Sequence, residues 1–158
     1  MPSRDKKEGD LTMNDQPVRW GVIGCAAIAV NRVIPAMPDA DLTVLTAVAS
    51  RTLSKAEAVA EQFDVPKAYG SYEALLADPE IEAVYIPLPN GLHAEWSIKA
   101  LRAGKHVLCE KPLAMDAAEA REIAAVRDET GLYCLEAFAY RFNPVVEEAF
   151  QIAKSGVL

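Results

Sequence analysis

Short apolar runs alternate with segments of helical spacing along most of this chain, and the alternation sets out its elements in order. Val18 to Ile23 predicts a buried strand ending on Gly24. A helix is expected from Ala27 to Met37, with Pro35 near its end and Pro38-Asp39 closing it. Leu42 to Ala49, rich in Val, Leu and Thr, predicts the second strand. Thr52 or Ser54 then caps a helix over Ser54 to Phe63, whose apolar face carries Ala56, Val59, Ala60 and Phe63. Ala68-Tyr69 is a short third strand, followed by a small helix over Tyr72 to Leu76 and a fourth strand over Ala83 to Ile86. His93 to Ala103 predicts a helix closed by Gly104 as a left-handed cap, and Lys105 to Cys109 the fifth strand. A long helix over Asp116 to Thr130, capped by Gly131, leads to a sixth strand over Leu132 to Ala137 and a last helix over Pro144 to Lys154.

Strands and helices alternating at this spacing predict an α/β fold: a Rossmann-type, doubly wound, mostly parallel sheet with helices on both faces. In such sheets ligands bind beyond the carboxyl ends of the strands. The segments to inspect are therefore Gly24–Ala29, Ser50-Arg51, Pro87–His93, Glu110–Pro112 and Phe138–Pro144.

The first of these matches the pattern Gly-x-Gly-x-x-Gly/Ala as Gly24-x-Ala26-x-x-Ala29. A strand that turns on glycine into a helix leaves the amides of Ala26, Ala27 and Ile28 free to cradle an anion, and a dinucleotide pyrophosphate is the usual occupant. Alanine holds the second glycine position, so the Ala26 methyl is expected to crowd that pyrophosphate. Read alone, the segment is equally a plain buried strand and turn.

Composition narrows the field. With 158 residues, 51% hydrophobic and 25% charged, the chain has the material for one substantial core. A formal net charge of −7 argues against nucleic acid or a membrane surface as partner, since phosphates would be repelled. Cys25, Cys109 and Cys134 include no close pair, which fits neither a disulfide framework nor a zinc site and favours a reducing cytoplasm. The start of the chain is polar, carries no secretory signal and reads as a disordered leader over residues 1–16, ahead of a dinucleotide-binding domain over 17–158. Met13 is a possible natural start.

After the second strand, an acidic residue would mark NAD by taking the adenosine 2′-hydroxyl. Ser50-Arg51 stands there instead, with Lys55 one turn later, and these suit a 2′-phosphate, so NADP is favoured over NAD. The competing reading is a solvated Arg and Lys at a helix start. Pro87-Leu88-Pro89 is a stiff loop able to wall a nicotinamide ring. Asn90 reads as a helix cap, His93 as a helix-start surface histidine or a site residue, and Trp96 as core. Glu110-Lys111-Pro112 places opposite charges at the exit of a buried strand, and Pro112 holds Lys111 extended, aimed at the cleft. There Lys111 either hydrogen-bonds a substrate hydroxyl and stabilises a developing alkoxide, or pairs with Glu110 on the rim. The aromatic and cationic run Phe138–Pro144, with Arg141 at its centre, either closes over the nicotinamide end or packs on a following domain.

Four stretches occur in order: Val-Ile-Gly-Cys-Ala-Ala-Ile-Ala (22–29), Tyr-Ile-Pro-Leu-Pro-Asn-Gly-Leu-His (85–93), Ala-Gly-Lys-His-Val-Leu-Cys-Glu-Lys-Pro (103–112) and Glu-Ala-Phe-Ala-Tyr-Arg-Phe-Asn-Pro (136–144). Together they resemble the N-terminal domain of the Gfo/Idh/MocA oxidoreductases over about residues 17 to 158, most nearly the branch of dihydrodiol and xylose dehydrogenases. The resemblance implies a nicotinamide cofactor, usually NADP in that branch, and hydride transfer at a sugar or cyclic diol CH–OH. Lys111 falls on the family's catalytic lysine. Pro89, Asn90, His93 and Glu110 fall on positions lining the nicotinamide and its ribose, and Ser50 and Arg51 on the 2′-phosphate reader. Asn143 stands where a histidine often follows the aromatic-arginine pair.

The family's C-terminal α+β domain, an open antiparallel sheet, is expected to begin about where residue 158 falls, and so to be absent here. It would supply most of the substrate pocket, the acid/base partner of Lys111 and the homo-oligomer interface. Turnover by these residues alone is therefore not expected. The alternative is a dinucleotide-binding module without catalysis, or a truncated product.

Overall fold

The computed structural model describes residues 16–157; the leader expected over 1–16 lies almost wholly outside them. Six strands form one parallel sheet: β1 (Val18–Ile23), β2 (Thr43–Ala49), β3 (Lys67–Tyr69), β4 (Ala83–Ile86), β5 (His106–Cys109) and β6 (Cys134–Glu136). Their order across the sheet is β3-β2-β1-β4-β5-β6. Chain order reverses direction between β1 and β4, which is the doubly wound switch point, and every strand delivers its carboxyl end to the same edge.

Alternating side chains divide the core in two. On one face Val22, Val48 and Tyr85 pack under the first helical stretch and α2 (Leu53–Phe63). On the other, Ile23, Ala49, Ile86 and Cys109 pack under α3 (Tyr72–Leu76), α4 (His93–Arg102) and α5 (Ala117–Thr130). The expected face of α2 is the one that is buried: Ala56, Val59 and Ala60 are inside, and Phe63 packs at the margin.

The first helical stretch differs from expectation in its winding. Ala29–Val33 is a π-helix, leading into α1 (Ile34–Ala36) and a 3-10 turn over Met37–Asp39. The physical reason is Pro35, which has no N–H to return to the preceding turn and whose ring crowds that turn's carbonyl; a wider winding relieves both. Other differences are at the ends. Thr52 takes the position before α2, but its side chain makes no capping bond. Asp116 caps α5 by accepting from the amides of Ala118 and Glu119 at 2.8 and 3.0 Å, and Gly131 closes it in the left-handed conformation.

Helices cover both faces only beside the switch point. The last helix, α6 (Pro144–Lys154), buries none of its residues. Over β5 and β6, one sheet face carries no helix among the described residues. It forms a mainly apolar hollow of about 970 Å³, floored by Tyr85, Leu108 and Leu135 and rimmed by Phe138 and Phe142. No described helix is long and apolar enough to cross a membrane.

Candidate functional site

At the carboxyl edge, the turns after β1, β2 and β4 meet in a cleft of about 180 Å³. Its wall is built from Gly24, Cys25, Ala26, Ser50, Arg51, Thr52, Lys55, Tyr72, Pro87, Leu88 and Pro89. Eight of the residues singled out from sequence are thereby brought together.

Gly24 makes the turn possible. Its φ is +108°, its amide donates to the Ala49 carbonyl at 2.9 Å, and a Cβ there would stand 2.7 Å from Leu88 Cδ2. Beyond it the backbone is helical from Ala27, with the Val30 amide donating to the Ala26 carbonyl. Ala27 and Ile28 are exposed at this helix opening, just outside the cleft wall. Ser50 is buried, its amide tied to the Tyr69 carbonyl at 3.0 Å, which fixes the end of β2. Arg51 and Lys55 are exposed, and neither joins the ion pairs formed among the described residues. No carboxylate lines the cleft. On a chain with a net charge of −7, this is a local cationic opening shaped for an anion. The narrow glycine turn and the two free cations fit a dinucleotide phosphate.

The remaining expected residues lie elsewhere on the same edge. Asn90 is exposed at the start of a 3-10 turn and caps nothing with its side chain; Leu92 holds the cap position of α4. His93 is fully buried, which corrects the expectation of a surface histidine. Its Nδ1 lies 2.6 Å from the Pro112 carbonyl oxygen and its Nε2 2.7 Å from that of Leu88. The ring therefore sits between the Pro87–Pro89 loop and the Glu110–Pro112 loop and presents neither nitrogen to the cleft. Carbonyls only accept, so a ring nitrogen bonds its carbonyl only where it carries a proton.

The charges of Glu110 and Lys111 do not pair with each other. The Glu110 carboxylate accepts from the Tyr85 hydroxyl at 2.8 Å and from the Lys111 amide at 3.2 Å. The Lys111 side chain is left exposed at the end of β5, next to a cis peptide to Pro112. The cost of a carboxylate at a buried strand exit is thus met by Tyr85, whose own hydroxyl is pushed to a higher pKa by burial and by that carboxylate. Arg141 borders the large hollow and not the cleft.

Residues 18–138 match the model of the Gfo/Idh/MocA oxidoreductase family, described by its NAD-binding Rossmann fold. The chain belongs to that family. It is 48% identical over 136 residues to a D-xylose 1-dehydrogenase (NADP(+)) of Haloferax volcanii, covering 86% of this chain and 42% of that protein. It is 39% identical over 143 residues to a trans-1,2-dihydrobenzene-1,2-diol dehydrogenase of Mus musculus, with 89% and 43% covered. A 3-ketoreductase from Actinomadura kijaniata, solved in complex with TDP-benzene and NADP, superposes with a TM-score of 0.86 at 44% identity, covering 90% of this chain and 45% of that one. The chain thus spans less than half the length of these relatives.

Three residues of the cleft wall, Cys25, Thr52 and Tyr72, were not singled out from sequence. Cys25 and Thr52 adjoin motif positions and were reachable by extending the motif. Tyr72 is brought in by the fold, as the first residue of a helix that follows a different strand.

Proposed function

We propose that this chain is the cofactor-binding part of an NADP-dependent oxidoreductase acting at the CH–OH carbon of a sugar or cyclic diol. One observation carries the cofactor choice: the end of β2 presents the buried Ser50 with Arg51 and Lys55, and no carboxylate. A 2′-phosphate satisfies that donor set, whereas a ribose 2′-hydroxyl leaves two cations without an acceptor. The relatives named for NADP, or crystallised with it, support the same choice.

When bound, the nicotinamide supplies the hydride acceptor or donor. The amides of Ala26, Ala27 and Ile28 would hold the pyrophosphate at the turn that Gly24 allows. A cleft of about 180 Å³ has room for only part of a dinucleotide, so Pro87–Pro89, Asn90 and Glu110 would line its nicotinamide half along the open edge. His93 keeps that edge in register by packing between the carbonyls of its two loops. Lys111, with its ammonium free of Glu110, meets the substrate hydroxyl and stabilises negative charge on its oxygen as the carbonyl forms or is reduced. Arg141, on the rim of the hollow beyond β6, would close the nicotinamide end. The three free cysteines favour a cytoplasmic setting, and a small sugar or diol, not a macromolecule, is the substrate.

Titration of the purified chain with NADPH and with NADH tests this reading. NADPH should bind at least about tenfold more tightly, and Arg51→Ala should weaken NADPH about ten- to a hundredfold, the usual worth of charge-assisted bonds, while moving NADH by no more than about twofold. NADH binding as well as NADPH, or an Arg51→Ala variant indifferent to the 2′-phosphate, would overturn it.

A further inference from the structure

Given a dinucleotide in the cleft, as proposed above, we propose that the Tyr72 hydroxyl is a cofactor-binding group that donates a hydrogen bond to an oxygen of the adenosine half, between the glycine turn and Arg51.

Tyr72 is 8% exposed, and its ring packs edge-on against Trp96 at 4.9 Å and 89°. Ser71 fixes that placement by capping α3, its hydroxyl accepting from the Ala74 amide at 3.1 Å, so that Tyr72 starts the helix with its ring turned inward. The ring is core; the hydroxyl is not. It reaches the cleft wall 3.9 Å from where a Cβ on Gly24 would stand, in the field of the Arg51 guanidinium and the Cys25 thiol.

Among the described residues this hydroxyl makes no hydrogen bond. At the wall of the cleft its donor stays free for whatever enters, whereas the two other tyrosine hydroxyls anchored in this core are taken up by carboxylates: Tyr69 donates to Asp78 and Tyr85 to Glu110. The open valence of Tyr72 points to an acceptor that arrives with the ligand. Burial raises its pKa, so at neutral pH it is a donor and adds no negative charge beside a phosphate. Its neighbours place that acceptor. Gly24 borders the pyrophosphate and Arg51 the 2′-phosphate, so the oxygens in reach belong to the adenosine ribose and the phosphate joined to it.

Tyr72→Phe removes one oxygen and keeps the edge-on contact with Trp96. The experiment is fluorescence or calorimetric titration of the whole chain and of Tyr72→Phe with NADPH, and with 2′-phospho-ADP-ribose, which lacks the nicotinamide. Matched melting temperatures without ligand would show that the fold is kept. A similar loss for both ligands, about three- to tenfold, is expected, with a smaller ligand-induced rise in melting temperature. Unchanged affinity for both ligands in Tyr72→Phe, with the unaltered chain binding normally, would overturn the assignment alone. A loss seen with NADPH but not with 2′-phospho-ADP-ribose would also overturn it, by moving the contact to the nicotinamide half. If the unaltered chain bound neither ligand, the dinucleotide reading would fall first and the role of Tyr72 with it.

Discussion

One row of side chains crosses the whole sheet on a single face: Ala68, Val48, Val22, Tyr85, Leu108 and Leu135, each paired with the next in register. Val48 and Val22 are fully buried and Tyr85 is 1% exposed, yet Leu135 is 61% exposed. All of these are strand residues facing the same way, so the difference lies in what covers them. Near the switch point the first helical stretch and α2 lie over the row, and over β5 and β6 no described helix does. The cofactor cleft belongs to the covered half, where turns, caps and ion pairs are all supplied by the chain itself. In the open half, Tyr133, Leu135, Phe142 and Phe150 expose apolar surface that no described residue covers. The two halves have the same local architecture and differ in self-sufficiency.

The comparison breaks most visibly at Gly24. Its φ of +108° and the 2.7 Å approach of Leu88 to an added Cβ mean that Gly24→Ala strains the backbone and displaces a core side chain. The expected loss is about 2–4 kcal/mol of unfolding free energy, read from urea denaturation, together with loss of NADPH binding. A variant with unchanged stability and affinity would show that the covered half does not depend on this turn.

A second effect concerns how the covered half holds its charges at the opposite edge. Asp78 is 8% exposed and accepts from Lys67 Nζ at 2.8 Å, from the Tyr69 hydroxyl at 2.8 Å and from the Glu80 amide at 2.9 Å. The Lys67 ammonium foremost holds its pKa down, to about 2 from an ordinary 3.8. A carboxyl whose folded pKa is depressed stabilises the fold fully above its unfolded value, and that contribution fades as pH falls from about 4 through about 2. Asp78→Asn should therefore melt several degrees below the parent at pH 6, and the gap should narrow toward pH 2. A gap that stayed constant over that range would rule out this source of stability.

How far the sequence reached follows the same division. Strands β1, β2 and β4, the helices with apolar faces, and the residues of the glycine turn, Ser50-Arg51 and Pro87–Pro89 were legible because each depends on local pattern: an apolar run, a cap, a turn residue at a strand end. What escaped depends on contacts between distant segments. His93 looked like a surface residue because nothing nearby in sequence reveals carbonyls at Leu88 and Pro112 converging on its ring. Adjacency left a Glu110–Lys111 pair open as one of two readings, and only the fold shows that the Glu110 carboxylate goes to Tyr85, one strand away. Tyr72 carries no motif, and only the arrival of α3 beside the glycine turn gives its hydroxyl a place in the cleft. An apolar sheet face or edge left for the C-terminal domain to cover was foreseeable, but that it would lie over β5 and β6 was not, since an apolar strand residue reads the same with or without a helix above it.

That last point yields the smallest change in stability and the sharpest test of the two-halves contrast. Leu135 is already 61% exposed, so Leu135→Glu removes little buried area and should alter unfolding free energy by no more than about 0.5 kcal/mol, with NADPH affinity unchanged. Its effect should appear in sedimentation velocity. An apolar face of this kind promotes concentration-dependent association, and a carboxylate in the middle of it opposes the contact by the cost of burying a charge. The parent chain is expected to shift toward larger species as concentration rises, and the variant to stay smaller at equal concentration. If instead Leu135→Glu destabilised the chain by several kcal/mol, Leu135 would be core and the open half covered after all. Because the cleft lies at the carboxyl edge of the other half, a variant that stays monomeric and still binds NADPH would separate the two properties physically: cofactor recognition by residues the chain folds for itself, and association through a face that the described residues leave bare.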